Sequence, residues 1–204
     1  MLTMLLLARL TVTSLQYDVF VNGKNVGSAE VSQSVQPNGN IQGSFIIRLN
    51  KPTPGTFSAV TLQDRTGRML RKTMITKTPA NSAGLDFVYG QTVKVDVSGN
   101  GKHITKILSI PKGASLQNQS TLWFLTTTPH RGANCDYMDV SSTDMKWRKV
   151  HASYPGDEKL AWKGKSIMTH KVIFSDSTSW IDSRGYPYKT VFGKGKAAMI
   201  ILRK

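Results

Sequence analysis

Apolar and polar residues alternate along most of this chain with a period of two. The alternation is clearest in three sets of positions: Phe45, Ile47 and Leu49; Val93, Val95 and Val97; and Met168, His170, Val172 and Phe174. Successive side chains of a β-strand point to opposite faces, so a period of two predicts strands with one apolar face.

Turn sequences rich in Gly and Asn separate these runs at short intervals. They include Asn22-Gly23, Asn38-Gly39, Asp64-Arg65-Thr66-Gly67, Gly99-Asn100-Gly101, Lys163-Gly164 and Asp182-Ser183-Arg184-Gly185. Glycine and asparagine adopt the positive φ that tight hairpins require. Runs joined in this way predict an antiparallel meander.

We therefore predict an all-β fold for 1–204, a single domain of roughly a dozen strands that forms a curved, half-open barrel. A curled sheet covers its apolar face and shortens its exposed edges. A two-layer sandwich is the main competing arrangement. At most one or two short helices are expected, around 114–128, and 111–145 is the stretch with the least regular pattern.

The first residues, 1–14, allow two interpretations. Leu5, Leu6 and Leu7 form a short apolar run that Arg9 ends, and no basic segment precedes it. A secretory signal needs a basic start and a longer apolar region. The segment is therefore interpreted either as the remnant of a signal or as the first strand.

Composition supports a folded and strongly basic protein. The chain has 204 residues, of which 39% are hydrophobic, and its net charge is +15. Both halves of the sequence are basic, and many Lys and Arg residues lie beside the turns. Such a surface is attracted to anionic partners, of which an anionic membrane surface is one. Aromatic residues near basic ones, as at Trp147, are too dispersed for a stacking platform, which disfavours nucleic acid.

The sequence contains no motif of a catalytic or metal site. The cluster His130, Cys135, Asp136 and Asp139 lacks the second ligand pair of a zinc site, and it is interpreted as a polar loop. His170 is interpreted as a half-buried histidine with its hydrogen bonds satisfied. We expect no catalytic residues, no metal, no cofactor and no enzymatic activity.

Two hairpins carry a resemblance to a known group. The hairpin from Tyr17 to Ala29 contains Gly23-Lys24-Asn25-Val26-Gly27, and the hairpin from Ser179 to Lys189 contains Trp180-Ile181-Asp182 before Gly185. The chain resembles bacterial envelope β domains of unknown function, which are similar to open-barrel lipoprotein carriers of the Lol type. The resemblance implies a curved sheet around an apolar groove, in the periplasm or at the cell surface. Cys135 is internal and is not a lipid-attachment cysteine, and a cytoplasmic location is the alternative.

The leading functional hypothesis is a non-catalytic envelope protein that binds an apolar or amphipathic, lipid-like ligand in the groove. The expected partners are a lipid-like small molecule or another envelope protein. The candidate groove residues are Phe45, Ile47, Phe87, Trp123, Phe124, Phe174, Trp180 and Phe192. Two alternatives remain open: a structural or protein-interaction domain with a solid core, and a basic nucleic-acid-binding module.

Overall fold

A computed structural model describes residues 13–114 and 130–204 of the chain. These residues form fourteen antiparallel strands in one unclosed sheet, together with a single turn of 3₁₀ helix at Gly195–Ala197. The strands are β1 Thr13–Val21, β2 Lys24–Val35, β3 Ile41–Leu49, β4 Gly55–Gln63, β5 Met69–Lys77, β6 Ser82–Tyr89, β7 Thr92–Gly99, β8 Lys102–Ser109, β9 Ala133–Val140, β10 Trp147–Trp162, β11 Lys165–Phe174, β12 Ser177–Ile181, β13 Pro187–Phe192 and β14 Met199–Arg203.

The order of strands across the sheet is β8-β7-β6-β5-β4-β3-β2-β1-β14-β13-β12-β11-β10-β9. Two meanders of consecutive hairpins, β1–β8 and β9–β14, thus share one seam, where β1 pairs with β14. At this seam Tyr17 is opposite Arg203 and Val21 is opposite Met199. The first and last described strands therefore lie side by side in the middle of the sheet.

The turns form as the sequence predicts, because each places a residue with positive φ where the strand reverses. Gly67 and Gly185 have φ of 84° and 86° and close two turns of the same design. In each turn an aspartate, Asp64 or Asp182, accepts hydrogen bonds from two backbone N–H groups through its Oδ1 atom. A side chain that satisfies the turn backbone in this way favours the reversal locally.

The sheet is strongly curved. Phe45 on β3 and Phe192 on β13 are four strand positions apart, which in a flat sheet would separate them by about 19 Å. Their ring centroids are 6.2 Å apart. The apolar face that the alternation predicts is therefore the concave face. The structure is a single curved sheet and not a two-layer sandwich.

The two ends of the sheet meet through side chains. Lys72 on β5 lies 2.8 Å from the Asp139 carboxylate on β9, and the Trp147 indole N–H donates to the Ser109 carbonyl of β8. Val140 packs in one buried cluster with residues of β5, β6 and β7. Within residues 13–114 and 130–204 no backbone ladder joins β8 to β9, so the barrel is open.

The middle of the chain contains a regular element, β9. The sequence pattern is least regular over 111–145, yet Ala133–Val140 of this stretch forms the regular strand β9. The alternation there is hidden by polar residues on the outer side, because Asn134 and Asp136 are exposed. The helix expected around 114–128 lies almost wholly outside the described residues, as do the first twelve residues.

Candidate ligand-binding site

The concave face is covered by three separate apolar clusters rather than by one continuous core. The central cluster is built on Tyr17, Val19, Ala29, Ile47 and Ile201; the second on Met69, Phe87, Tyr89, Val93, Val95 and Val140; and the third on Ala133, Ala152, Tyr154, Val172 and Ile181. The central cluster lies at the seam, and the other two lie towards the two ends of the sheet.

Three of the groove residues predicted from sequence come together in the central cluster. Ile47 is buried, whereas Phe45 and Phe192 pack against the cluster but keep part of their surface exposed. Phe57, which sequence reasoning did not select, joins them with its ring centroid 6.5 Å from that of Phe45. The alternation of β4 could have identified it.

The remaining candidates are dispersed. Phe87 is fully buried in the second cluster, and Phe174 packs against the third. Trp123 and Phe124 lie outside the described residues. The candidates within the described residues therefore do not form one cluster.

Trp180 lies on the opposite face from its buried neighbours Ser179 and Ile181. Its ring is flanked by two cations, with Lys171 Nζ at 5.6 Å and Lys189 Nζ at 5.0 Å from the ring centroid. Its indole N–H is buried and makes no hydrogen bond of good geometry to the described residues, although it helps to lower the pKa of the Glu158 carboxyl. Trp180 thus packs in a cation–π stack on the convex face.

A β-bulge interrupts β10 and builds a polar site beside the third cluster. Ser153 is opposite Ile173, but Gly156 is opposite Lys171, so β10 carries one extra residue here. Gly156 has φ of 130°, a conformation that is essentially restricted to glycine. A Pro-Gly pair inside an alternating run is a sequence signal for such a bulge, and it was missed.

The bulge brings together a carboxylate, a histidine and a tyrosine. Asp157 Oδ1 lies 2.6 Å from both the Tyr154 hydroxyl and His170 Nδ1. The Tyr154 hydroxyl, which donates to the carboxylate, holds the pKa of Asp157 below its ordinary value, and His170 adds to this effect. Burial, with the neighbouring carboxylate, raises the pKa of Tyr154 to about 12. His170 has its hydrogen bond, in agreement with its interpretation from sequence.

The residues of the rejected zinc pattern are held by other partners. Asp136 binds Lys149 and His151, each at 2.8 Å or less, whereas Asp139 binds Lys72. Burial raises the pKa of the Cys135 thiol, which packs against the third cluster. Within the described ranges no group of three or more His, Cys, Asp or Glu side chains is placed to hold a metal ion.

The turn between β12 and β13 is held by Arg203, the last residue of β14. Its guanidinium donates to the Pro187 and Tyr186 carbonyls and to Asp182, and it lies 4.0 Å from the centroid of the Tyr188 ring. These contacts explain the conspicuous late hairpin in structural terms, because its acidic and aromatic residues bind the last strand.

Comparison with solved structures supports the architecture. The crystal structure of a β-barrel-like protein of a domain of unknown function, DUF1849, from Brucella abortus aligns with a TM-score of 0.62. The alignment covers 96% of this chain and 97% of that chain, at 10% sequence identity. The chain is an open, β-barrel-like domain. At this identity the likeness shows the fold alone.

The other comparisons add no relative. No protein-family model matches the sequence, and no curated protein matches it. In the described segments no helix has the length and apolar character needed to cross a membrane.

Proposed function

We propose that this protein is a non-catalytic binding protein of the cell envelope that holds an apolar or amphipathic, lipid-like ligand against the concave face of its sheet. The observation that carries the proposal is the partial exposure of Phe45, Phe57 and Phe192 above the buried central cluster. Aromatic side chains that stay accessible on a concave face offer an apolar ligand a surface from which to displace water.

The size of the sheet supports the same proposal. A closed barrel of about eight strands is just filled by its own side chains, and larger barrels enclose cavities or channels. Here fourteen strands curve around a concave face that carries small residues, among them Ala29, Gly43 and Ala59. By this relation a sheet of fourteen strands is expected to leave room for a ligand beside its own side chains.

Basic charge supports placement near an anionic surface. The net charge is +15, and the cations are spread over both halves of the chain. Long-range attraction of this kind concentrates a protein at anionic lipid without a specific contact. It would bring the concave face close to the source of a lipid-like ligand.

Tryptophan fluorescence can test the proposal directly. In a Phe45→Trp variant, we expect a brominated fatty acid to quench the added fluorescence, relative to the parent protein, in a saturable manner that an unbrominated fatty acid reverses. The matched control is Ile107→Trp, because Ile107 is 62% exposed on the convex side of β8. Its added fluorescence should not be quenched.

Equal quenching in both variants, or none in either, would contradict the proposal. The second result would favour the alternative of a structural domain with a solid core, in which the three phenyl rings pack only against one another.

A further inference from the structure

One end of the sheet carries an exposed lysine in or directly beside each of five neighbouring strand connections. Consecutive antiparallel strands reverse direction, so every second connection lies at the same end of the sheet. The pairs β7–β8, β5–β6, β3–β4, β1–β2 and β13–β14 are neighbours in the strand order, and their connections lie together. In that order they carry Lys102, Lys77, Lys51, Lys24 and Lys194, and we call this arc the lysine rim.

The lysines of this rim have no acidic partner. Within residues 13–114 and 130–204 all five are exposed and none of them forms an ion pair. The five connections themselves contain no Asp or Glu. Neighbouring connections are two strands apart, which spaces their lysines at intervals of about 10 Å along the sheet. The rim is therefore a line of unpaired positive charge.

The opposite end of the β1–β8 meander has a different character. Its connections at 36–40 and 90–91 carry no charge, and the connection at 64–68 places Asp64 beside its two arginines. The unpaired cations of this meander's connections are thus concentrated at one end of the strands. A uniformly basic surface would show no such difference between the two ends.

The lysine rim borders apolar residues at the mouth of the concave face. Leu49 and Phe192 are the last residues of β3 and β13, and Met199 is the first residue of β14, so all three lie at this end. Phe57 is the third residue of β4 and is close to the same end. All four pack against the central cluster and keep part of their surface exposed. The accessible part of the concave face therefore lies beside the lysines.

This combination of charge and apolar surface fits a lipid bilayer with anionic headgroups. Lysines close to such a surface are attracted to the headgroups, and apolar side chains beside them can contact the acyl region. A nucleic acid would match the positive charge, but it would leave the apolar mouth against a polar sugar-phosphate backbone.

We propose that the lysine rim docks on an anionic lipid surface, with the mouth of the concave face against the bilayer. In this orientation a lipid-like ligand passes from the bilayer to Phe57 and Phe192 without crossing bulk water. The inference deepens the proposed function and rests on it for the identity of the ligand, whereas docking itself needs no ligand on the concave face.

Vesicle binding by the full chain tests the docking surface. Vesicles of phosphatidylcholine with one third phosphatidylglycerol should bind the protein, and vesicles of phosphatidylcholine alone should bind it far more weakly. Each lysine close to an anionic surface contributes about fivefold in affinity, so Lys24→Gln, Lys77→Gln and Lys102→Gln should each weaken binding by about that factor. The triple variant should lose about a hundredfold. The single variants keep the test valid if the triple variant does not fold.

The matched control removes three exposed lysines at the other end of the strands. Lys112→Gln, Lys159→Gln and Lys165→Gln together lose the same charge. A strand of nine residues, such as β5, is about 30 Å long, which is several times the Debye length of about 8 Å at physiological salt. The control should therefore bind anionic vesicles as tightly as the parent.

An added tryptophan reports the orientation of the docked protein. Ala80 lies in the β5–β6 connection on the lysine rim, Gln91 lies in the β6–β7 connection at the other end, and both are exposed. On binding to anionic vesicles, the fluorescence added in Ala80→Trp should shift to shorter wavelength, because its ring enters the lipid interface. The fluorescence added in Gln91→Trp should not shift.

Three results would overturn the assignment: no preference for anionic vesicles, equal losses in the rim and control triple variants, or equal shifts in the two tryptophan variants. Tighter binding to a duplex oligonucleotide than to vesicles, with the same dependence on the rim lysines, would replace the membrane by nucleic acid. The fatty-acid titration of Phe45→Trp contains no vesicle. If that titration succeeds and docking fails, the docking proposal falls and the concave-face proposal stands. Docking without fatty-acid binding gives the opposite result.

Discussion

Asp182 Oδ2 lies 3.1 Å from both terminal nitrogens of the Arg203 guanidinium. Asp182 begins the turn between β12 and β13, and Arg203 ends β14. Their side chains are only 13% and 10% exposed, so the pair is largely shielded from water. One carboxylate thus organises a hairpin turn through Oδ1 and binds that hairpin to the strand at the seam through Oδ2.

Comparing two aspartates isolates the contribution of this pair. Asp64 makes the same backbone contacts in its own turn but has no arginine of this kind. We expect Asp64→Ala to lower the free energy of unfolding by about 1 kcal/mol. Asp182→Ala should lower it by about 3 kcal/mol, because it also leaves the shielded Arg203 without its counter-ion.

Urea unfolding of the two variants and the parent measures this difference. Equal losses would show that the pair with Arg203 contributes nothing beyond the turn. An Arg203→Met variant in the Asp182→Ala background should recover part of the lost stability, since it removes the uncompensated charge.

Tyr17 predicts a loss of stability at high pH. Its hydroxyl donates to the Pro187 carbonyl, and burial raises the pKa of Tyr17 from 10.0 to about 12. A group whose pKa is higher in the folded state supports folding below its unfolded pKa, and this support is lost as pH rises. We therefore expect the contribution of Tyr17 to fall between pH 10 and pH 12.

The matched variant is Tyr17→Phe, which loses the hydrogen bond but cannot ionise. Below pH 10 the parent should be more stable by about 1 kcal/mol. Above pH 10 this advantage should shrink by up to about 1.4 kcal/mol per pH unit. Urea titrations of both proteins from pH 8 to pH 12 give the difference, and a constant difference would contradict the burial of the ring.

The contact between Lys72 and Asp139 should couple the two ends of the sheet. The Lys72 side chain is 16% exposed and that of Asp139 is 31% exposed, so the pair is partly screened. We expect Lys72→Met and Asp139→Asn each to cost about 1–2 kcal/mol. A double-mutant cycle should give a coupling energy of about 1 kcal/mol. If the two losses of stability simply add, the two ends of the sheet are held together by the second apolar cluster alone.

Replacing Gly156 in β10 should cost more stability than replacing Gly164 in the turn between β10 and β11. Gly156→Ala places a Cβ against the Arg131 side chain and forces alanine to φ of 130°, for which we expect a loss of about 2–3 kcal/mol. Gly164 has φ of 72° and open space around it. Gly164→Ala should cost about 1 kcal/mol. Thermal unfolding of both variants checks the order, and the reverse order would contradict the bulge.

Local pattern was sufficient to predict most of the fold. The period of two and the Gly-Asn turns predicted an antiparallel meander, and the alternation around Phe45 predicted the face that became concave. Each of these features depends on residues that are close in sequence. The pairing of β1 with β14 was not predicted, because no local feature of Tyr17 or Arg203 reports a partner at the other end of the chain.

The candidate site was less predictable for the same reason. Aromatic side chains were chosen as groove residues by size, and size does not decide between the concave cluster of Phe45, the interior of the second cluster at Phe87 and the convex stack of Trp180. The face of Trp180 is set by its register with Lys171 and Lys189, which the sequence of one strand does not contain. The contacts of Tyr154, Asp157 and His170 were missed because they depend on the register shift at Gly156, which no local pattern reports.

The seam between β1 and β14 determines how this sheet can assemble. Within each meander every strand can pair with the strand before it, because only a short loop has to close and the entropic cost is small. The seam instead closes a loop of nearly the whole chain, since it pairs Tyr17 with Arg203. We expect each meander to form its hairpins early and the two meanders to join late, so that pairing of this five-residue ladder is the slowest folding event. We expect the same ladder to separate first when the molecule is pulled apart.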